Sequence, residues 1–458
     1  MAAAHHDPLG CKVSIAGWPE EVEKIGTALS RMAAQERLDV AITKAGSKGY
    51  YEFEPLLTVE AEGGLFLYRN VKVQELDRIL EDLKGGRLCG SFHCRSLPFF
   101  GLEKRRMLRD CGVIDPMQQD ERTDRRLTRL EGILQMMPSH LVEEAERAGF
   151  ITAQDLMAFS RQEERHLICN AIDSTPGSVH GRLLIAGDPL RVVEGAAVLG
   201  HMVGAKRATF CISDCPDRLE TYLETWLERA RLPFEEYHVR VLPSMLPMRE
   251  EDVLLAYLQT GLLMPRRDPS RSEFVVHIET LASLALLLEE TSGIRTHLVT
   301  VFQHDSPRIT IEVEEGIGLK EILSALYGDD PSMVVQFPAQ TGVFLKGGDL
   351  EIPIKASCSV DVFPRDSFGP DVVIARLRYI HAQSCGVCLF CREGVYQMRG
   401  FFEDLLHGYS PGPVSIIKEI SLGLREGSLC GIGRDASALG LSALRLFFGE
   451  QEIGAHLD

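Results

Sequence analysis

Apolar positions between Lys12 and about Leu83 first alternate, then recur at helical spacing. The order is a strand at Val13–Ala16, a helix over 20–35, strands at 40–43, 56–59 and 65–68, and a helix over 73–83. That order predicts a small thioredoxin-like α/β unit over residues 1–85. Residues 86–129 carry more glycine and charge, including Glu121-Arg122-Thr123-Asp124-Arg125-Arg126, and predict a linker ending in a solvated helix. From 130 to 290, helical periods (140–148, 190–203, 218–230) interleave with β-type runs (166–169, 208–212, 238–242), the pattern of a Rossmann-like α/β domain. Between Thr296 and Phe344 short strands surround one helix, Leu319–Leu326, which suits a ubiquitin-like β-grasp (SLBB-like) domain over 291–350. Beyond Pro370 four helical segments (371–383, 392–407, 413–426, 436–448) predict a C-terminal four-helix bundle within 351–458. The fold class expected is a multidomain α/β chain.

The longest apolar run, Leu281 to Leu288, is broken by Ser283 and is far short of the roughly 20 residues that cross a bilayer. Met1 to Gly10 has neither a basic nor an apolar segment of the kind that directs secretion. These features predict a cytoplasmic chain with no direct membrane insertion. The net charge of −17 repels phosphate backbones, so no nucleic-acid partner is expected.

Twelve cysteines in a reducing compartment point to metal or redox chemistry more than to disulfides. Cys385, Cys388 and Cys391 stand three residues apart, close enough to wrap three corners of one cubane, and Gly386 permits a tight backbone turn. Cys430 follows two helical segments of similar length, so an antiparallel helix pair returns it to the same end of the bundle. Zinc competes for four thiolates, but structural zinc sites generally use two separated Cys-x-x-Cys knuckles. The eight other cysteines (Cys11, Cys89, Cys94, Cys111, Cys169, Cys211, Cys215, Cys358) form no second set, and most are expected to be buried inert thiols. Gly431-Ile432-Gly433-Arg434-Asp435-Ala436 mimics a dinucleotide fingerprint but follows a cysteine rather than a strand, so a turn and helix start is expected. His140, His166 and His277 are scattered among apolar neighbours and are expected to be satisfied histidines rather than ligands.

The stretch Ser384-Cys385-Gly386-Val387-Cys388-Leu389-Phe390-Cys391-Arg392-Glu393-Gly394 resembles the S-C-G-x-C-x-x-C-R-E-G motif of the NADH-binding flavoprotein (F) subunit of NADH:quinone oxidoreductase and its hydrogenase and formate-dehydrogenase relatives. The resemblance continues, in family order, through Pro98-Phe99-Phe100, Arg109 to Pro116, Gly187-Asp188-Pro189, Glu194-Gly195 and Ile278 to Ala282. It implies a [4Fe-4S] cluster, an FMN-binding domain, an NADH site and companion redox subunits.

The flavin-facing motifs depart from the family. Its G-R-G-G-A-G-F-P-T-G loop should follow Ala148-Gly149-Phe150, where Ile151-Thr152-Ala153-Gln154 stands instead. A phosphate needs a concave row of backbone N–H groups, which such glycines provide. The N-A-D-E segment is reduced to Asn170-Ala171-Ile172-Asp173, and the asparagine pair before V-E-T-L becomes Val276-His277. The Y-I-C-G-E-E-T stretch corresponds to the neighbourhood of Leu246 to Asp252, keeping only Glu250 and Glu251. Asn170, Asp173, Glu250 and Glu251 are therefore the expected remnants of the flavin site, although adjacent acids more often form a solvated helix face. The [2Fe-2S] cluster of many relatives is not expected, since Ala45 to Tyr51 holds no cysteine. The expected function is an electron-transfer relay with one [4Fe-4S] cluster and without FMN. The alternatives are a catalytic NADH-oxidising flavoprotein and a structural subunit without redox centres.

Overall fold

The computed structural model describes residues 11–61, 64–85, 92–93, 98–147, 165–174, 178–215, 218–265, 272–289, 295–303, 306–364, 367–409 and 414–449. The first sheet combines β1 (Cys11–Ala16), β2 (Val40–Ala45), β3 (Leu56–Ala61), β4 (Gly64–Tyr68) and β5 (Phe92–His93) in the order β2-β1-β3-β4-β5. Only the β1–β2 pair is parallel, because α1 (Pro19–Gln35) carries the chain across between them. The helix buries Val22, Ile25, Leu29 and Ala33 at helical spacing against Val13, Ile15, Leu57 and Val59, while α2 (Leu76–Gly85) adds Leu76, Ile79 and Leu80.

Two helices follow, α3 (Glu121–Ile133) and α4 (Pro138–Arg147). Then β6 (His166–Ala171), α5 (His180–Gly187), α6 (Pro189–Val203), β7 (Arg207–Ser213), α7 (Leu219–Arg229), β8 (Glu236–Leu242), α8 (Glu251–Thr260), β9 (Glu273–His277) and α9 (Ile278–Leu284) build an all-parallel sheet, ordered β8-β7-β6-β9. Its helices lie on both faces, so β6 and β7 are buried nearly throughout and α6 is buried on every side.

The third sheet joins β10 (Thr296–Gln303), β11 (Ser306–Glu314), β12 (Val334–Phe337), β13 (Val343–Lys346) and β14 (Cys358–Phe363), ordered β11-β10-β14-β12-β13, with α10 (Leu319–Tyr327) packed on it through Leu319, Ile322 and Leu323. Four helices close the chain: α11 (Pro370–Gln383), α12 (Leu389–Leu406), α13 (Val414–Gly427) and α14 (Gly431–Phe448), sharing a core of Leu377, Val395, Met398, Phe402, Leu424, Leu439 and Ala443. Among the described residues no helix is long and apolar enough to cross a membrane.

Loop 46–51 interlocks the first three units. A Cβ on Gly46 would collide with the carbonyl oxygen of Ala186 in α5, and one on Gly49 would sit 2.8 Å from that of Thr310 in β11. Trp18 stacks on Tyr51 with centroids 5.5 Å apart, and the Arg182 guanidinium lies 3.7 Å over the Trp18 ring.

Three expectations need correction. The charged run at 121–126 opens a helix that is solvated at Glu121, Asp124 and Arg125 but not at Arg126. Arg126 is 6% exposed and donates to Asp110, Asp188 and Glu194 at 2.7–3.0 Å. Arg191 joins Asp188 at 3.1 Å and Glu289 at 2.8 Å, and Arg109 reaches Glu289 at 2.8 Å. Charge enters the interior here because each guanidinium meets carboxylates. Second, a boundary at residue 350 would cut the third sheet, since β14 pairs with both β10 and β12 and is its central strand. Third, α12 and α14 begin three and five residues earlier than their apolar periodicity indicates, with Cys388 and Cys430 at their N-cap positions.

Candidate metal centre

Helix α11 ends at Gln383, and the chain turns through Ser384, Cys385 and Gly386 into α12. Gly386 has φ of +71°, a conformation a side chain disfavours, which lets Cys385 and Cys388 bracket so short a turn. Cys388 caps α12, Cys391 lies buried in its first turn, and Cys430 caps α14. Both residues stand at a helix N-terminus, and at Cys430 burial raises the thiol against the backbone N–H of Ile432. Packing of α11 on α12 and of α13 on α14 returns all four cysteines to one end of the helices. As bare thiols they act on one another: burial first, then the sulfurs of Cys388, Cys430 and Cys385, push Cys391 up to about 11 against a hydrogen bond from Ser384. No group of three or more His, Cys, Asp or Glu side chains that could hold a single metal ion occurs among the described residues. A four-iron cubane takes one thiolate per iron and does not require three ligands around one ion. The four-thiol donor set at two helix N-termini therefore fits such a cluster.

Residues 246–250 from the parallel-sheet unit reach this end of the helices. The backbone N–H of Leu246 donates to Gln383 at 3.2 Å, and Arg249 pairs with Asp435 and lies 3.6 Å from Glu250. Glu250 stands at the N-cap position of α8, and its carboxylate faces Gly431, where an added Cβ would push it aside. Glu251, the next residue, is exposed on α8. The two glutamates are thus separated in role, and the first stands beside Cys430 rather than on a solvated face. The run Gly431 to Ala436 begins α14, as expected for a turn and helix start.

In the parallel sheet the strand order reverses beside β6, so a crevice opens at the carboxyl ends of β6 and β9. Asn170 there is 3% exposed, and its Oδ1 accepts the N–H of Ile172 at 3.0 Å. Asp173 accepts the N–H groups of Gly181 and Arg182 at 3.0 Å and the Ser178 hydroxyl at 3.2 Å, which caps α5, and burial raises its pKa against those bonds. Sequence reasoning missed the group beside them. Glu279 binds His180 and lies 2.8 Å from Nδ1 of His277, and His180 continues to Thr300 at 2.8 Å, which meets Thr310 at 2.7 Å. Burial would raise Glu279, but the two imidazoles, His277 first, hold it well below the usual carboxylate range. His277 and Glu279 line a cavity of about 360 Å³ with Arg295, Thr296, His297 and Ser357. The only signal in the sequence was His277 standing where an asparagine was expected. The other two histidines are satisfied as anticipated: His166 bonds Thr209 at 2.9 Å, and His140 pairs on an exposed helix face with Glu144 at 3.3 Å.

Cys111, Cys169 and Cys211 are buried, whereas Cys215 and Cys358 are partly exposed; Cys89 and Cys94 lie outside the described residues. The stretch Ala148 to Gln154, where the glycine loop was expected, also lies outside them.

Residues 139–286 match the Nuo51 FMN-binding domain family, and residues 371–456 match the NADH-ubiquinone oxidoreductase-F iron-sulfur binding region. The chain is similar to the NADP-reducing hydrogenase subunit HndC of Solidesulfovibrio fructosivorans, 24% identical over 411 residues, 76% of this chain and 83% of the relative. It is similar to the F 2 subunit of the NADH-quinone oxidoreductase of Rhizobium meliloti, 22% identical over 362 residues, 68% of this chain and 85% of the relative. It shares its fold with a chain of the NAD+-reducing [NiFe]-hydrogenase crystal structure in the H2-reduced state, with a TM-score of 0.64 at 17% identity over 98% of this chain and 84% of that one.

Proposed function

We propose, for a chain that resembles the NADH-binding flavoprotein (F) subunit of NADH:quinone oxidoreductase and its hydrogenase and formate-dehydrogenase relatives, that it is an electron-transfer subunit of a larger cytoplasmic oxidoreductase. One [4Fe-4S] cluster on Cys385, Cys388, Cys391 and Cys430 would supply one-electron chemistry. The observation that carries this reading is the gathering of those four thiols, two of them at helix N-termini, at one end of four packed helices. The same reading takes the first sheet as thioredoxin-like, the parallel sheet as a Rossmann-like FMN-type domain, the third sheet as a β-grasp (SLBB-like) domain and the final helices as the cluster-bearing bundle. The test is anaerobic purification with metal and sulfide analysis. About four irons and four acid-labile sulfides per chain are expected, and stoichiometric zinc without sulfide would exclude the cluster.

The reading extends to loss of FMN and NADH binding. It is supported by Asn170 and Asp173, whose acceptor oxygens are taken by the chain's own N–H groups, by Glu250 facing the cysteines, and by His277 in place of an asparagine. A second reading, a catalytic NADH-oxidising flavoprotein, draws on the FMN-binding family match over 139–286 and on the cavity beside the strand-order reversal. Acid extraction followed by flavin fluorescence, with an NADH assay using an artificial acceptor, separates the two. Near-stoichiometric FMN would favour the catalytic reading.

A further inference from the structure

The Ser384 hydroxyl stands 3.5 Å from Sγ of Cys391, and its oxygen accepts the backbone N–H of Gly386 at 3.2 Å. A cysteine bound to iron is a thiolate and has no proton to give, so in the loaded chain the serine must be the donor. Gly386 holds the oxygen from one side and leaves the O–H free to point at the sulfur. At Cys430, the Glu250 carboxylate lies beside the Cys430–Gly431 step. Arg249 is shared between Glu250 and Asp435, so that trio presents one cation and two carboxylates to the Cys430 side.

One-electron reduction adds negative charge that spreads over the cluster's sulfurs. A hydrogen bond to sulfur stabilises the reduced form more than the oxidised one, while a neighbouring carboxylate does the reverse. We infer that Ser384 and Glu250 set the reduction potential of the cluster with opposite sign, the hydroxyl raising it through Cys391 and the carboxylate lowering it beside Cys430. The inference rests on the cluster reading above. No bond is made or broken; the electron comes from the titrant.

The experiment is an EPR-monitored redox titration of the full-length, anaerobically purified chain, with dithionite as reductant and soluble mediators. In Ser384→Ala the ratio of oxidised to reduced cluster at a fixed ambient potential should rise about three- to tenfold, the range of one net hydrogen bond, tenfold being about 59 mV for one electron. Ser384→Thr, which keeps a hydroxyl, should restore the ratio, and Glu250→Gln should move it in the opposite direction. Unchanged ratios in loaded variants, or shifts of the same sign in Ser384→Ala and Glu250→Gln, would overturn the inference and leave the cluster intact. Should Ser384→Ala fail to load, the threonine and Glu250→Gln arms still decide. Wild-type chain without iron and sulfide would bring down the cluster reading itself, and this inference with it.

Discussion

Cys388 and Cys211 illustrate what position does to a thiol. Cys211 is sealed in the parallel-sheet core beside Ile168 and Leu254, and burial pushes it up to about 12, so it stays protonated and inert. Cys388 sits partly exposed at a helix N-terminus among three other thiols. Cys388→Ser should therefore lose most of the iron, and Cys211→Ser should keep all of it; equal iron loss in both would refute the ligand assignment. His277 carries a pH signature. Partial burial works against its charge, but Glu279 holds its pKa above the usual histidine value. Its contribution to stability is complete below the unfolded value of about 6.5 and is lost as pH rises through the higher folded value. Glu279 contributes above its unfolded value of about 4.3 and loses that contribution only as pH falls through its lowered folded value. His277→Gln should consequently lower the melting temperature more at pH 6 than at pH 8.5, by a small margin because half of the side chain is in solvent. Equal losses at both pH values would remove the ion pair from the account. The cysteine set was legible because its chemistry is packed into a few adjacent positions. Glu279 with His180 was not, because the two stand 99 residues apart and meet only once the parallel-sheet unit has folded.

Helix α3 is the element whose sequence misleads most. Its alternating charges fit a solvated face, and Arg125 does behave that way, pairing with Glu121 at 3.0 Å with 64% of its side chain exposed. One residue on, Arg126 anchors a buried network whose partners come from loop 109–110 and helix α6. Periodicity reports which positions are apolar, and a charge buried against another charge looks no different from one in water. Arg126→Met should cost about 3–5 kcal/mol, since it strands carboxylates in the interior, whereas Arg125→Met should cost no more than about 0.5 kcal/mol. Denaturant unfolding of both variants checks the contrast, and similar midpoints would show that the network is dispensable. Elsewhere the element pattern was read well. Strands β1 to β4 and helices α6 and α11 differ from their expected limits by one or two residues, because a one-sided apolar stripe or a largely apolar run has few other ways to be buried, whereas the two-residue β5 fell inside the expected linker.

At the scale of the whole molecule, a single cluster needs a donor and an acceptor, so the chain should co-purify from its native host with other redox subunits; full turnover by a lone monomer would contradict this. The proposed loss of FMN rests on Ile151-Thr152-Ala153-Gln154 standing where the family's glycine loop is expected. Three or four lost charge-assisted hydrogen bonds remove at least about 4.5 kcal/mol, which at about 1.4 kcal/mol per tenfold weakens affinity more than a thousandfold. Flavin released by acid should accordingly be far below one equivalent. The glycine contacts of loop 46–51 bear on how such a chain can be dissected. Gly46 against α5 and Gly49 against β11 leave no solvent layer between the first sheet and the rest, and Trp18 and Tyr51 seal the seam. The N-terminal unit is therefore a keystone rather than a bead on a string. Deleting residues 1–85 would unroof apolar surface on both neighbouring units, and the remaining chain should be insoluble or rapidly digested by protease. A truncated chain that stayed soluble, protease-resistant and fully loaded with iron would mean the units are modular after all.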